Sequence, residues 1–338
     1  KEIEVGLEAR FAQNRIGLDL SLYKKNTVDQ LMPVSTTTAT GFSFKWVNAG
    51  EIENKGIEVG LNLVPFKTEN FSWAIDVNWA KNENKVVDLY GDVENLQLAS
   101  FQGGVSLNAT KGQPYGTIRG TGFVYDNNGN RVVNSSGYYM AQADQILGDA
   151  NPDWNGGITN TFKYKDLTLS FLIDVQQGGD LFSLDLYYGQ GTGLPYYTAG
   201  LNELGNPVRD PVSAGGGVLN VGVTESGQPN TTRARADYYG GNYYWGNSSR
   251  NPAQREVYDA SYVKLRELAL TYNFPSKWFK DKLSAASVSL VGRNLWIIHK
   301  NVPFADPESG LGAGNLQGYL SGSYPTLRTV GLTLNMEF

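Results

Sequence analysis

The sequence lacks cysteine and has a single histidine, His299. Without cysteine, the chain forms neither a disulfide framework nor a thiol nucleophile. Any other nucleophile would need a base beside it, and His299 directly follows the apolar segment Trp296-Ile297-Ile298. We therefore predict that His299 is a polar residue at the end of a strand, that the chain has no catalytic residue, and that it is not an enzyme.

Charged residues and long apolar runs are also scarce. Charged residues make up 18% of the sequence, and the net charge is -5. A nucleic-acid partner is not expected, because phosphate binding needs a basic face. No run of about 18 apolar residues is present, which excludes a transmembrane helix. Barrel strands remain compatible with the mean hydropathy of -0.34, because only their alternate side chains face lipid.

Two short segments resemble ligand-binding loops only in part. Residues 126–130 (DNNGN) begin like a calcium loop, but Arg131 occupies the place of the turn glycine and Gly137 that of the bidentate glutamate. A hairpin turn between residues 123–125 and 131–133 is the better interpretation. The run Gly215-Gly216-Gly217 lacks the lysine and helix of a phosphate loop. No metal and no cofactor are expected.

The sequence is rich in glycine (40) and tyrosine (20), and its apolar residues alternate with polar ones. In the first segment, one face carries the apolar residues Ile3, Val5, Leu7, Ala9 and Phe11. The other face carries Glu4, Gly6, Glu8 and Arg10. The same alternation recurs within residues 16–23, 56–63, 71–79, 167–175, 267–274 and 330–338. A period of two is typical of strands with one lipid face and one aqueous face.

Nine strands are predicted, and the lengths of their connections alternate. The strands are placed at residues 1–11, 15–32, 44–65, 70–87, 157–165, 167–178, 257–274, 285–298 and 325–338. Short turns near Gln13, Lys67, Lys165 and Lys277 should lie at one rim of an antiparallel sheet. Long loops near residues 36–41, 88–156, 179–256 and 299–324 should lie at the other rim. Outer-membrane barrels sort their connections in this way, with the short turns in the periplasm.

The predicted fold class is all-β, an antiparallel transmembrane β-barrel. Nine strands do not close a barrel of even strand number, so further strands are expected elsewhere. The start, Lys1-Glu2-Ile3, has no signal-peptide pattern and leads directly into a strand, so the chain is expected to begin inside a longer protein. The alternative is a soluble or surface β-sandwich, such as a carbohydrate-binding module or an adhesin, whose loops would not be sorted by length.

Seven segments together resemble the C-terminal region of the SusC/RagA family of TonB-dependent outer-membrane transporters. They are residues 47–58 (VNAGEIENKGIE), 148–154 (GDANPDW), 261–268 (SYVKLREL), 272–275 (YNFP), 292–295 (GRNL), 306–308 (DPE) and 324–329 (YPTLRT). Each segment is short, but together they run in order along the whole chain. The resemblance implies a location in the bacterial outer membrane.

The resemblance further implies that residues 1–338 supply about nine C-terminal strands of a barrel of about 22 strands. The plug domain and the N-terminal barrel strands would be absent from this chain. Such a protein imports a large nutrient, either a glycan or an oligopeptide, in a TonB-dependent manner. The implied partners are a SusD-like surface lipoprotein, TonB acting through the missing N-terminal region, outer-membrane lipid and the substrate.

Aromatic residues in the outward loops are the candidates for contact with the substrate or the lipoprotein. A flat ring stacks on an apolar sugar or peptide surface without needing charge. The candidates are Tyr187, Tyr188, Tyr196, Tyr197, Tyr243, Tyr244 and Trp245, with Tyr238 and Tyr239 nearby. The alternative is that these rings pack within the loop itself. At the end of the chain, Leu334, Met336 and Phe338 resemble the C-terminal assembly signal of outer-membrane proteins.

Overall fold

The computed structural model describes residues 1–238, 252–279, 283–310 and 316–338. Nine long strands form one antiparallel sheet in chain order. They are β1 (Glu2–Phe11), β2 (Ile16–Val28), β3 (Glu51–Lys67), β4 (Phe71–Asp88), β5 (Trp154–Tyr164), β6 (Leu167–Gln177), β7 (Tyr262–Phe274), β8 (Ala285–Lys300) and β9 (Thr329–Glu337). The predicted antiparallel, all-β architecture is confirmed. In the described residues β1 and β9 are not paired with each other, so the sheet is open.

Register divides the sheet into an apolar face and a polar face. One cross-strand row on the apolar face consists of Trp73, Phe162, Leu169, Leu270, Leu290 and Leu332. The adjacent row on the polar face consists of Ser72, Lys163, Thr168, Thr271, Ser289 and Thr333. Because side chains alternate along a strand, each strand presents alternate residues to opposite faces. The two faces predicted from the sequence therefore exist in the structure.

The short turns lie together at one edge of the sheet, which we call the short-turn rim. Hydrogen bonds join neighbouring turns there, from Val64 N to Arg15 O (2.8 Å) and from Lys165 N to Asn70 O (2.8 Å). Asn273 N likewise donates to Asp166 O, 2.9 Å away, beside the end of β7. The opposite edge, the long-loop rim, receives all the long connections. This topology confirms the sorting of turns and loops.

Several strand boundaries differ from the prediction. Residues Leu31–Ser35 do not extend β2 but pair with Phe44–Asn48 in a separate hairpin. The chain leaves the nine-stranded sheet, which we call the wall, at Asp29 (φ 54°) and returns to it at Gly50 (φ 86°). Both residues adopt the left-handed conformation, which interrupts a strand. β5 begins at Trp154, β7 at Tyr262 and β9 at Thr329. Residues 31–35 and 257–259 pair with other loop segments instead of continuing β2 and β7, whereas β5 starts earlier than predicted and β9 later.

The long loops contain secondary structure of their own. Strands Asn95–Phe101, Val105–Thr110, Tyr115–Phe123 and Ala141–Asp149 form an antiparallel sheet. Asp180–Ser183 lies between Val257–Asp259 and Tyr319–Leu320. Shorter pairs join Val132–Val133 to Val223–Thr224, and Val218–Leu219 to Arg233–Ala234. Single 3-10 turns occupy Thr38–Thr40, Tyr196–Ala199, Val212–Ala214 and Ala253–Glu256 in the long loops, and Ser276–Trp278 in the short connection after β7. The sequence pattern did not predict this loop layer.

One α-helix, α1, spans Leu184–Thr192 among the described residues. Ser183 Oγ accepts the hydrogen bond of Leu186 N at its start, and Gly193 ends it in the left-handed conformation. No helix in the described part of the chain is long and apolar enough to cross a membrane.

The best-buried residues lie in this loop layer, around Phe182 (0% exposed) and Leu107 (1%). Apolar side chains of the loop segments pack against each other there, so the loop layer has a hydrophobic core of its own.

The hairpin predicted at residues 123–133 is confirmed. Tyr125 pairs with Arg131, and Asp126 N donates to Asn130 O (2.9 Å). The Asp126 carboxylate accepts the backbone N–H groups of Asn128 and Asn130, both at 2.8 Å, as an Asx turn requires. No group of three or more metal-ligating side chains occurs among the described residues.

Candidate functional site

The polar face carries a cluster of ion pairs at the long-loop end of β7. Lys264 donates from Nζ to Asp306 Oδ1 and to Glu308 Oε2. The side chains of Lys264 and Asp306 are only 2% and 1% exposed. A buried charge is tolerated when it is paired and hydrogen-bonded, so this contact fixes the loop that contains Asp306 against the wall of the sheet.

Arg266 extends the cluster to the neighbouring strand. It is the extra residue of a β-bulge between β6 and β7, and a bulge redirects a side chain from its regular position. Its guanidinium binds Asp174 of β6 through Nε (3.0 Å) and Glu308 through Nη1 (2.8 Å). The hydroxyl of Tyr262 donates to the same Glu308 carboxylate at 3.0 Å. Ion pairs and hydrogen bonds therefore join strands β6 and β7 to the loop after β8.

The two loop carboxylates are held in their ionised form. Burial by itself would raise the pKa of Asp306, but hydrogen bonds from Lys264 and Thr326 outweigh it and leave the pKa lowered. Burial likewise opposes ionisation of Glu308, and hydrogen bonds from Arg266 and Lys264 lower its pKa. These two carboxylates and the residues that pair with them form a cluster that we call the loop tether (Asp174, Lys264, Arg266, Asp306 and Glu308).

The tether unites two segments that the sequence analysis treated separately, residues 261–268 and 306–308. Sequence reasoning did not pair them, although their opposite charges were a usable signal. Additional bonds hold the same loop, from Thr326 Oγ1 to Asp306 Oδ2 (2.6 Å) and from Lys300 Nζ to Ala305 O (2.6 Å).

Residues 148–154 make another contact at the long-loop rim. Asp149 N donates to Asp180 Oδ2 (2.9 Å), and Asn151 Nδ2 donates to Tyr115 O (2.7 Å). Burial raises the pKa of Asp180. This segment therefore ties the loop sheet to the chain that leaves β6.

The predicted aromatic residues divide into packed and exposed rings. On α1, Tyr187 is half-buried against Phe182 (ring centroids 5.7 Å apart), whereas Tyr188 is 50% exposed. Tyr196 is 79% exposed and meets the half-buried Tyr197 edge to face at 5.7 Å. Tyr187 therefore packs within the loop, whereas Tyr188 and Tyr196 are exposed. Tyr239, Tyr243, Tyr244 and Trp245 lie outside the described residues.

An apolar cavity of about 350 Å³ lies beside Tyr196. Its lining comes from α1, from the following turn and from the loop held by the tether: Ser183, Asp185, Leu186, Gly189, Leu194, Pro195, Tyr196, Pro303, Phe304 and Ala305. Leu194 and Phe304 at its edge are 83% and 66% exposed. Asp185 is the only charged residue in this lining. Because residues 303–305 directly precede Asp306, the tether positions one wall of the cavity, which we call the loop cavity.

The remaining candidates lie away from the loop cavity. His299 Nε2 lies 3.1 Å from Asn301 Oδ1, and in the described ranges no serine or carboxylate forms a hydrogen bond with it. Leu334 and Met336 on β9 stand opposite Val288 and Ala286 on the apolar face. Phe338 follows the last paired residue and is 90% exposed.

Comparison with known proteins relates this architecture to one family. The model of TonB-dependent receptor-like β-barrels matches residues 1–108. TonB-dependent receptor P26 of Formosa agariphila is 30% identical over 366 residues, which cover 99% of this chain and 34% of that protein. TonB-dependent receptor SusC of Bacteroides thetaiotaomicron is 23% identical over 356 residues, covering 98% of this chain and 31% of SusC. The chain thus spans about a third of the length of these curated relatives.

Solved structures show the same fold. The RagAB peptide importer in its open-open state matches with a TM-score of 0.70 and 18% identity, covering 100% of this chain and 34% of that one. Its closed-closed state matches with a TM-score of 0.70 and 20% identity, covering 100% and 35%. The strand order, the seven segments and these matches agree: the chain is similar in sequence to TonB-dependent receptors, SusC among them, and shares the fold of the RagAB structures.

Proposed function

We propose that this chain is the C-terminal part of an outer-membrane β-barrel that imports an oligopeptide or a glycan fragment in a TonB-dependent manner. Residues 1–338 supply nine of about 22 strands, while the plug and the contact with TonB belong to the rest of the protein. The apolar face of the sheet faces lipid, and the polar face faces the lumen. The long loops extend outward, where a SusD-like lipoprotein covers them.

The observation that carries this proposal is the loop cavity at the long-loop rim. Exposed apolar side chains at a cavity are typical of a binding surface. The lining favours a peptide over a glycan, because Leu186, Leu194 and Pro303 suit an apolar side chain, whereas sugar hydroxyls require many hydrogen-bond partners. The similarity to a structure described as a peptide importer points the same way.

Uptake of labelled oligopeptides by cells that express the intact protein tests this proposal. Leu194→Asp should raise the KM for an apolar peptide by roughly tenfold, which corresponds to about 1.4 kcal/mol of lost binding. The matched control is Val221→Asp, because Val221 is an equally exposed loop residue (84%) outside the loop cavity. Equal KM values for the two variants would contradict the assignment. Uptake of labelled oligosaccharide in place of peptide would select the glycan.

Partnership with a lipoprotein lid is tested separately. The intact protein should co-purify with one surface lipoprotein from mildly solubilised outer membranes. Tyr188→Asp and Tyr196→Asp should weaken this association if the two tyrosines contact the lid, and should leave it intact if they contact only substrate. Purification of the parent protein without any lipoprotein would contradict the partnership.

A further inference from the structure

The apolar face of β1–β4 changes from apolar to charged side chains toward the long-loop rim. Three consecutive cross-strand rows are wholly apolar: Phe11, Ile16, Leu63 and Ile75; then Ala9, Leu18, Leu61 and Val77; then Leu7, Leu20, Val59 and Trp79. The next row is Val5, Leu22, Ile57 and Lys81, and the row beyond it is Ile3, Lys24, Lys55 and Glu83. The change from apolar to charged residues therefore takes place within these two adjacent rows of the same face, which together form the border.

A cavity of about 450 Å³ lies across this border. Its lining combines the apolar side chains of Ile3, Leu22 and Ile57 with the ammonium groups of three lysines, Lys24, Lys55 and Lys81. Ile3 is 74% exposed and Leu22 is 44% exposed. The apolar part of the lining, which we call the apolar floor, is therefore accessible from outside the protein. We call this site the border cavity.

The border cavity carries an excess of positive charge. Lys24 pairs with Glu53 at 2.8 Å, while Lys55 and Lys81 share Glu83, each at 3.0 Å. Three lysines thus face two carboxylates. The lysine side chains are 58%, 57% and 43% exposed. Because an ammonium group has three N–H donors, each lysine keeps donors for an additional anion after pairing.

We propose that the border cavity binds a phosphorylated lipid of the outer leaflet. An acyl chain lies over Ile3, Leu22 and Ile57, and the phosphate lies among Lys24, Lys55 and Lys81. This arrangement fits the position of the cavity, since the long-loop rim of an outer-membrane barrel is the outer side and lysines next to an apolar band reach the headgroup level. The inference rests on the proposed function, because it requires the apolar face to be embedded in lipid.

A lipid matches the cavity better than free phosphate does. Inorganic phosphate would use the lysines but would leave the apolar floor in water, whereas an amphiphile covers both. Charge selects among amphiphiles, because a net negative headgroup complements the excess lysine and a zwitterionic one does not.

The test is native mass spectrometry of the intact protein in detergent, titrated with phosphatidic acid, phosphatidylcholine or inorganic phosphate. The parent protein should bind phosphatidic acid and neither of the other two at the same concentrations. Lys24→Gln, Lys55→Gln and Lys81→Gln should each weaken binding roughly fivefold, the effect of one basic charge near a membrane surface. The matched control is Lys25→Gln, because Lys25 follows Lys24 but lies on the opposite face, where it pairs with Glu2.

The outcomes separate the alternatives. Unchanged phosphatidic acid binding by all three variants, equal binding of phosphatidylcholine, or an equal loss in Lys25→Gln would each overturn the proposal. Binding of inorganic phosphate with the same affinity would also overturn it, since the site would then need no acyl chain. Failure of the proposed function is recognised independently: the parent protein would be missing from the outer-membrane fraction, whatever its lysines bind. Heat-modifiability on gels verifies that each variant is folded.

Discussion

The indole Nε1 of Trp73 donates a hydrogen bond to Oδ1 of Asn160, 3.1 Å away, on the apolar face of the sheet. Asn160 stands between Ile75 and Phe171 in a cross-strand row, where an amide without a partner would be costly in lipid. Trp73 also stacks between Phe66 and Phe162, with centroid distances of 6.2 and 5.5 Å. The ring thus packs with apolar neighbours while its N–H group satisfies the polar one.

Removing this donor should destabilise the protein more than removing both partners. We expect Trp73→Phe to keep the ring stacking but to leave the Asn160 carbonyl unpaired, at a cost of about 1–3 kcal/mol in the free energy of unfolding. Asn160→Leu in the Trp73→Phe background should recover most of that loss. Urea unfolding in detergent micelles measures the free energy of unfolding of the parent protein, of Trp73→Phe and of the double variant. If the double variant is no more stable than Trp73→Phe, the hydrogen bond is not what Trp73 contributes.

The assignment of the two faces predicts that an arginine is tolerated at one of two adjacent positions and not at the other. Phe171 is on the apolar face and Ser170 on the polar face, and both are half-buried. An arginine facing mid-membrane lipid costs about 2–4 kcal/mol, so Phe171→Arg should reduce the amount of assembled barrel far more than Ser170→Arg. Heat-modifiability gels of outer-membrane fractions measure this amount. Equal yields of the two variants would count against a lipid-facing Phe171.

The loop tether should be sensitive to the loss of either partner. In Lys264→Met, the buried Asp306 carboxylate loses its counter-charge, and the expected cost is about 3–5 kcal/mol. Lys264→Met combined with Asp306→Leu should be less destabilising than Lys264→Met alone. Limited proteolysis reports release of the loop around residues 303–310. Lys111→Met is the control, because its pair with Asp88 is exposed and should contribute little.

The tether should also open in acid. The folded state lowers the pKa of both Asp306 and Glu308, so their contribution is complete above the unfolded carboxyl pKa of about 4. It is lost as the pH falls through the lower folded values. Cleavage of this loop by pepsin should therefore stay slow near that unfolded value and accelerate at more acidic pH. Asp306→Asn should remove much of this acceleration. Rapid cleavage of the parent protein at neutral pH by chymotrypsin, which cleaves after aromatic residues such as Phe304, would contradict a closed tether.

The end of the chain provides the last prediction. If Phe338 is read by the insertion machinery, its deletion should markedly lower the amount of folded protein in the outer membrane, while Phe338→Tyr should lower it only slightly. If Phe338 is simply one more lipid-facing side chain, its loss removes about 1.5–3 kcal/mol of apolar burial. Its deletion should then resemble Leu332→Ala. Folded protein is quantified by heat-modifiability, and transport per folded molecule should be unchanged.

The nine-stranded wall could be predicted from the sequence because the alternation of residues and the lengths of the connections are local features. Alternation with a period of two assigns Trp73 and Leu332 to one face from their immediate neighbours alone, and the alternating lengths of the connections fix which turns share a rim. Composition likewise limits the catalytic chemistry that is available, since a chain without cysteine and with one histidine offers few nucleophiles and bases. The seven family-like segments added a family resemblance that the physical patterns alone could not supply.

The loop layer and the tether were decided only by the tertiary structure. Lys264 and Asp306 are 42 residues apart, and their contact depends on a bulge at Arg266 that no alternation pattern encodes. Asn160 belongs to the apolar face because of its register with Ile75 and Phe171. Register and bulges arise from the simultaneous packing of several strands, and side-chain pairs across them follow from that packing. Local sequence determines which face a residue prefers, whereas the three-dimensional fold determines which residue it meets there.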